Sequence, residues 1–242
     1  MNRRNFLKVV GATTAVVAVN PSSISQTLYA SNGELYKTYE KVKLVDKSGN
    51  PIIASNLKKE TNYFFTYPYS GTPALLVDIG EPTKKDVKLV SEDGEEYIFK
   101  GGCGKNGSIV AVSAICPHQL THPKPSDSFF NYVPKSGKTM AYKSGGVFVC
   151  SSHLSAYDPK EGAKKVSGPA PQGLATIVME LDDNDHLWAV GVLGPNKFHD
   201  YFKSFKPEFK AIYGNWRKAK KIVKVKTPVM LLSEYSKEII QY

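Results

Sequence analysis

The chain has 242 residues, 41% hydrophobic and 22% charged, which is long and apolar enough to bury a core and excludes an intrinsically disordered chain. Its formal net charge of +10 comes from lysines spread along the sequence without a dense run interleaved with aromatics, so the basic excess does not point to nucleic acid. Three cysteines, Cys103, Cys116 and Cys150, cannot build a disulfide framework and leave at least one thiol unpaired or ligating.

The first segment carries an address. Asn2 to Lys8 reads NRRNFLK, a twin arginine followed by Phe-Leu-Lys, and an apolar run from Val9 to Val19 then meets Asn20-Pro21. This order resembles a twin-arginine export signal, so residues 1–30 are expected to be such a signal or a short N-terminal anchor. The run is shorter than the roughly 20 apolar residues of a spanning helix. Leu28-Tyr29-Ala30 is an imperfect cleavage site, because Leu is larger than the small residue preferred there. The expected location is the periplasm, with any membrane association made through the N-terminus or a partner.

Short runs rich in β-branched and aromatic residues follow, separated by turn signals such as KSGN, SEDGE, KNG and DDND. In order they are Lys41 to Asp46, Asn62 to Tyr69, Ala74 to Gly80, Glu95 to Gly101, Ser108 to Cys116, Gly145 to Ser151, Ala175 to Asp182 and His186 to Gly194. The pattern predicts an antiparallel all-β domain over residues 31–205. No repeat period and no Gly-rich phosphate loop interrupts it, and the longest irregular stretch is Pro123 to Gly146. Residues 206–242 change character: Lys206 to Lys221 reads as a helix with Pro207 in its first turn, and Thr227 to Tyr242 as another with Thr227 as cap. This basic extension is expected to pack on the β domain or to dock a partner subunit.

Cysteine and histidine occur side by side twice. Cys116-Pro117-His118 follows one predicted strand and Cys150-Ser151-Ser152-His153 follows another. Such a donor set suits tetrahedral zinc or an iron-sulfur cluster. Structural zinc sites usually space their pairs as C-x2-C or H-x3-H. One Cys and one His from each loop instead suits a cluster whose cysteines bind one iron and whose histidines bind the other.

The stretch from Ser108 to Gly194 resembles the Rieske 2Fe-2S proteins, whose boxes read C-x-H and C-x-x-H. Within it SGPAPQGL, Ser167 to Leu174, is similar to the proline-rich loop of Rieske subunits of cytochrome bc complexes. The resemblance implies a Rieske fold: an antiparallel β base, a small inserted cluster-binding subdomain over about residues 108–174, and here a helical C-terminal extension. It implies one 2Fe-2S cluster held by Cys116 and Cys150 on one iron and His118 and His153 on the other, covered by the loop Gly168, Pro169, Ala170 and Pro171. Ser155 and Tyr157 stand where high-potential members place hydroxyls that bond a bridging sulfide and a ligand cysteine. Neutral imidazoles in place of thiolates, and hydroxyl donors beside the sulfurs, both favour the reduced state, so a high potential is expected. Reduction should couple to protonation at the imidazoles, and in quinol-oxidising members one imidazole accepts a hydrogen bond from the quinol, which makes His118 and His153 the candidates.

Two subfamilies compete. The proline loop with Ser155 and Tyr157 favours the iron-sulfur subunit of a quinol:cytochrome c reductase, with a cytochrome b/c-type partner and a quinol. Phe64 to Pro82 is similar instead to the small subunit of arsenite oxidases, which relays electrons from a molybdenum subunit and is exported by the twin-arginine route. Either way the chain is expected to be a respiratory electron carrier that leaves substrate chemistry to its partner. A Rieske oxygenase would need a second iron site, for which only His199 remains after Gly194. A zinc-stabilised binding module is the reading left if the donors hold zinc.

The sequence departs from the family at several points. Thr121 and Ser152 stand where most bc-type members carry cysteines joined in a disulfide, Leu154 follows the second ligand histidine where Gly is usual, and the stretch 123–146 is long. His122 has the wrong spacing for the motif and is expected beside the ligands or at the surface; His186 and His199 receive no role, and Cys103 is expected to be incidental.

Overall fold

The computed structural model describes residues 35–242, so the export-signal reading of residues 1–30 lies outside the described residues. The strands run β1 (Tyr36–Val45), β2 (Tyr63–Thr66), β3 (Pro73–Asp78), β4 (Val87–Val90), β5 (Glu96–Phe99), β6 (Ile109–Ser113), β7 (Asp127–Ser128) and β8 (Phe130–Val133). They continue as β9 (Val147–Cys150), β10 (Ser155–Asp158), β11 (Lys164–Ser167), β12 (Thr176–Leu181) and β13 (Leu187–Leu193). The tail holds α1 (Phe198–Ser204), α2 (Lys206–Tyr213), α3 (Trp216–Ala219), β14 (Lys226–Pro228), β15 (Met230–Leu231), α4 (Leu232–Tyr235) and β16 (Glu238–Ile239).

Two sheets carry the architecture. An 8-stranded base sheet has the order β14-β1-β13-β12-β6-β3-β2-β15, and a 4-stranded sheet has the order β11-β10-β9-β8. The small sheet is inserted between β6 and β12, which are themselves neighbours in the base through Thr176↔Val112 and Ile177↔Ala111. The chain therefore leaves the base, builds the subdomain and returns to the strand it left.

The period of two along β3 shows how the layers are joined. Ala74 and Leu76 face a core shared with α1 and α2, where Phe65, Tyr201 and Phe209 are buried. Leu75 and Val77 face the opposite core, with Phe130, Tyr132, Phe148 and Tyr157 of the small sheet. Adjacent side chains of a strand point to opposite faces, and both faces are apolar here because the sheet is covered on both sides. Full burial of each such large side chain stabilises by roughly 1.5–3 kcal/mol.

Two expectations change. The stretch 123–146 is not irregular throughout: it contains β7 and β8, and β8 pairs with β9 from Phe130↔Cys150 to Val133↔Val147. Phe130 and Tyr132 are 0% and 1% exposed, so this segment supplies an edge strand and part of the core. The tail is helical only in its first part. The expected helix over Lys206 to Lys221 is divided at Gly214, whose φ of 72° ends α2, and Asn215 caps α3 by accepting from the Arg217 amide.

The second expected helix, Thr227 to Tyr242, does not form as such; only α4 is helical. Leu44↔Thr227 and Val45↔Pro228 pair in parallel at the edge of β1. The Thr227 hydroxyl, expected to cap a helix, donates instead to the Thr66 carbonyl at 3.0 Å. An open sheet edge offers unpaired backbone groups, and satisfying them outweighs the weak local preference of a Thr-Pro start. Among the described residues, no helix is long and apolar enough to cross a membrane.

Candidate metal centre

Two loops meet at one end of the small sheet. The first follows β6 and folds on itself: the Cys116 amide donates to the Thr121 carbonyl and the Leu120 amide to the Cys116 carbonyl, both at 2.9 Å. Leu120 takes a left-handed φ of 60° to close it. The second joins β9 to β10, where Cys150 pairs directly with Ser155, and Leu154 turns the chain with a φ of 59°. Both sites of backbone strain thus sit beside ligand candidates, where strain is commonly held by surrounding structure.

These loops bring the expected donors together in two pairs. Cys116 and Cys150, 1% and 0% exposed, are free thiols joined by a hydrogen bond. The rings of His118 and His153 meet edge to face with centroids 4.8 Å apart, His118 partly buried and His153 exposed. The sulfurs therefore lie inside and the imidazoles toward solvent. The Nδ1 atom of His118 is buried without a hydrogen-bond partner, an arrangement that costs free energy unless the nitrogen ligates something.

The sulfur pair is electrostatically prepared. The hydrogen bond from Cys150 brings the Cys116 thiol down to about 6 against the opposing effect of burial, and the Tyr157 hydroxyl adds to the lowering. Cys150 moves upward, because it shares its proton with Cys116 and is itself buried. Burial also raises the Tyr157 phenol, so Tyr157 keeps its proton and donates to Cys116 Sγ at 3.2 Å. Thr121 contributes from the first loop, with a side-chain hydrogen bond to Cys150 of the second.

The proline-rich loop is fastened to the same place. The Ala170 amide donates to Ser155 Oγ at 3.2 Å, and Ala170 is 1% exposed while Gly168, Pro169 and Pro171 are exposed. Ser155 Oγ accepts there, and its side chain also hydrogen-bonds the Tyr157 hydroxyl beside Cys116. Gly168 has a φ of +85°, and a Cβ on it would lie 2.3 Å from the Leu154 carbonyl oxygen. Only glycine lets this loop close so tightly over the second ligand loop.

Among the described residues, no group of three or more His, Cys, Asp or Glu side chains is gathered closely enough to hold one metal ion. The donors are arranged as a thiol pair and an imidazole pair, an inventory that fits a binuclear group with sulfur ligands at one metal and nitrogen ligands at the other.

Other sequence candidates fall elsewhere. Cys103 pairs by a backbone bridge with Ile109, and burial pushes its thiol up to about 12, which leaves it protonated and unreactive. His186 Nδ1 lies 3.0 Å from Asp182 in the turn before β13, and His199 is exposed on α1. His122, expected beside the ligands or at the surface, is not at the surface: it is 2% exposed and hydrogen-bonded at both nitrogens, once to the first loop, and its spacing held no signal of its partner Glu208.

Known proteins agree with this arrangement. Residues 77–178 match the Rieske [2Fe-2S] domain. The iodate reductase subunit IdrB of Denitromonas iodatirespirans is 28% identical over 194 residues, covering 80% of this chain and 82% of that protein. A putative respiratory nitrate reductase subunit Rieske of Haloferax mediterranei is 26% identical over 199 residues, covering 78% of this chain and 76% of that protein. Among solved structures, the soluble domain of the Rieske protein II from Sulfolobus acidocaldarius aligns with a TM-score of 0.42 and 22% identity, covering 77% of this chain and 93% of that one. With its two Cys-His loops inside the matched span, the chain carries a Rieske [2Fe-2S] domain, and the cofactor that this domain implies is a 2Fe-2S cluster.

Proposed function

We propose that this protein is the electron-transfer subunit of a respiratory oxidoreductase, with Cys116 and Cys150 binding one iron of a 2Fe-2S cluster and His118 and His153 the other. The observation that carries the reading is the segregation of donors: hydrogen-bonded thiols inside, paired imidazole rings outside. A bound Rieske cluster supplies one-electron chemistry. The chain's own residues orient and tune. Tyr157 donates to Cys116 Sγ, Ser155 ties the proline-rich loop to the Tyr157 hydroxyl, and Gly168 to Pro171 cover the second loop, so the reading includes a high potential. The exposed His153 is the ligand nearest to solvent and hence to a redox partner.

The partner we favour is a catalytic reductase subunit. Relatives named as iodate reductase and respiratory nitrate reductase subunits each align over most of this chain and most of their own length, which supports an assembly in which another chain binds the substrate. This is the arrangement of the arsenite oxidase-like reading, with a molybdenum subunit as partner. A second reading, a quinol:cytochrome c reductase-like subunit with a cytochrome b/c-type partner, is favoured by the proline loop and by Ser155 and Tyr157. The twin arginine Arg3-Arg4 supports export of the folded protein to the periplasm.

The test is low-temperature electron paramagnetic resonance of the dithionite-reduced protein, with iron and acid-labile sulfide assayed and the signal titrated against potential. Equal iron and sulfide with a Rieske-type spectrum and a high midpoint are expected. Metal-replete, colourless protein without a signal would leave the zinc-stabilised module.

A further inference from the structure

All three cysteines are free thiols, so no disulfide holds the first ligand loop to the rest of the protein. His122, directly after Thr121, ties this loop to α2. Its Nδ1 lies 2.8 Å from the Leu120 carbonyl oxygen and its Nε2 lies 2.7 Å from Glu208 Oε1 on α2. Rings of Tyr201 and Phe205 stand edge-on against it, each with its centroid 4.7 Å away. The Leu120 amide in turn donates to the Cys116 carbonyl at 2.9 Å. A single hydrogen-bonded path thus runs from α2 through His122 and Leu120 to the backbone of a ligand residue.

The two partners fix the orientation of the ring. The His122 side chain is 2% exposed and that of Glu208 23%. A carbonyl oxygen only accepts. Nδ1 therefore donates to the Leu120 carbonyl, and Nε2 shares a hydrogen bond with the Glu208 carboxyl group. A buried side-chain hydrogen bond of this kind fixes geometry, and removal of one partner leaves the other polar group unsatisfied.

We propose that His122 is a positioning residue for the cluster: with Glu208 it clamps the first ligand loop to the C-terminal extension and so sets the placement of Cys116 and His118. The proposal rests on the ligand assignment above. It gives the tail a role in the redox site that neither Cys-His box contains.

The experiment uses the full holoprotein with Glu208→Ala and Glu208→Gln, and His122→Ala where it folds. Three quantities are read: hydrogen exchange of residues 116–122, the rate of iron loss to a chelator, and the midpoint potential. In Glu208→Ala, exchange of this segment and iron loss are expected to rise at least tenfold while β12 and β13 exchange as in the wild type, and the midpoint shifts. Glu208→Gln retains an acceptor oxygen and is expected to restore most of each quantity. In His122→Ala the Glu208 carboxyl and the Leu120 carbonyl both lose their partner, and exchange and iron loss are expected to rise as in Glu208→Ala. Wild-type exchange and iron loss in Glu208→Ala overturn the proposal, and so does a Gln variant no better than Ala. If the wild-type protein proves to hold no iron-sulfur cluster, the ligand reading fails, while the exchange data still report whether the clamp exists.

Discussion

The phenolic oxygen of Tyr157 on β10 lies 3.2 Å from the sulfur of Cys116 in the loop after β6, so a donor from the small sheet reaches a ligand candidate delivered by the base. Both side chains are buried, Tyr157 at 0% and Cys116 at 1% exposure, which strengthens the bond by excluding water. Tyr157→Phe removes the donor and leaves the ring packed against Phe130. We expect the cluster to be retained and the midpoint to fall; if the bond favours the reduced state by about 1.4 kcal/mol, the fall is roughly 59 mV for one electron. An unchanged potential would show that the hydroxyl does not act on the sulfur.

Cys116→Ser tests the ligand set itself. A serine hydroxyl is a poor replacement for a soft thiolate, and Cys116 has a hydrogen-bonded partner in Cys150 but no spare thiol nearby to take its place, because Cys103 sits at the β6 edge beside Ile109. Loss of most iron and of the Rieske-type signal is expected, with the far-ultraviolet circular dichroism of the β base preserved. A variant that kept the full signal would remove Cys116 from the ligands.

Gly168→Ala probes the covering loop. A Cβ there would lie 2.3 Å from the Leu154 carbonyl oxygen and 2.5 Å from Ser155 Cα, and the φ of +85° is unfavourable for any L side chain. The loop must open, at a cost of order 1–3 kcal/mol, and the bond from the Ala170 amide to Ser155 Oγ is lost with it. Faster loss of the cluster on exposure to oxygen and a lower unfolding temperature are the expected results. Equal cluster lifetimes in variant and wild type would show that the loop does not shield the site.

The last residues of the chain hold the inserted segment in place. Ser236 Oγ donates to the Lys124 carbonyl at 2.6 Å, the Ile240 amide to the Ser128 carbonyl at 2.8 Å and the Met140 amide to the Tyr242 carbonyl at 2.8 Å. Deletion of residues 236–242 removes all three together with the parallel pairing of β16 to β7. Limited proteolysis should then cut within 123–146 at least several-fold faster than in the full chain. Cleavage at the wild-type rate would mean that β8 alone fixes this segment.

Phe148 is 0% exposed on β9, stacked with Phe130 and edge-on to Tyr132, and its strand ends at Cys150. Phe148→Ala should cost about 3–5 kcal/mol, as other large-to-small changes in a packed core do. Thermal unfolding of the oxidised protein measures it, and a loss below about 1 kcal/mol would contradict the close packing described.

The sequence by itself determined the strands with strong β-branched or aromatic runs, β1, β2, β3, β5, β6, β9, β12 and β13, and the identities of the paired Cys and His donors. These features are local: side-chain period and residue chemistry are written within a few positions of each other. It also carried Ser155, Tyr157 and Gly168, whose distances along the chain from the second box are short. What it did not carry was set by contacts distant in sequence. β8 has ordinary apolar residues after a Pro- and Ser-rich start, and becomes a strand because β9 offers it an edge. Thr227 to Tyr242 has the composition of a capped helix, yet Thr227 and Pro228 are taken up by the open side of β1 and Ile239 by β7. His122 has no spacing that marks it, and gains its meaning from Glu208, 86 positions away. The tertiary structure alone decided these points, because unsatisfied strand edges and a buried imidazole are completed only by partners that folding brings to them.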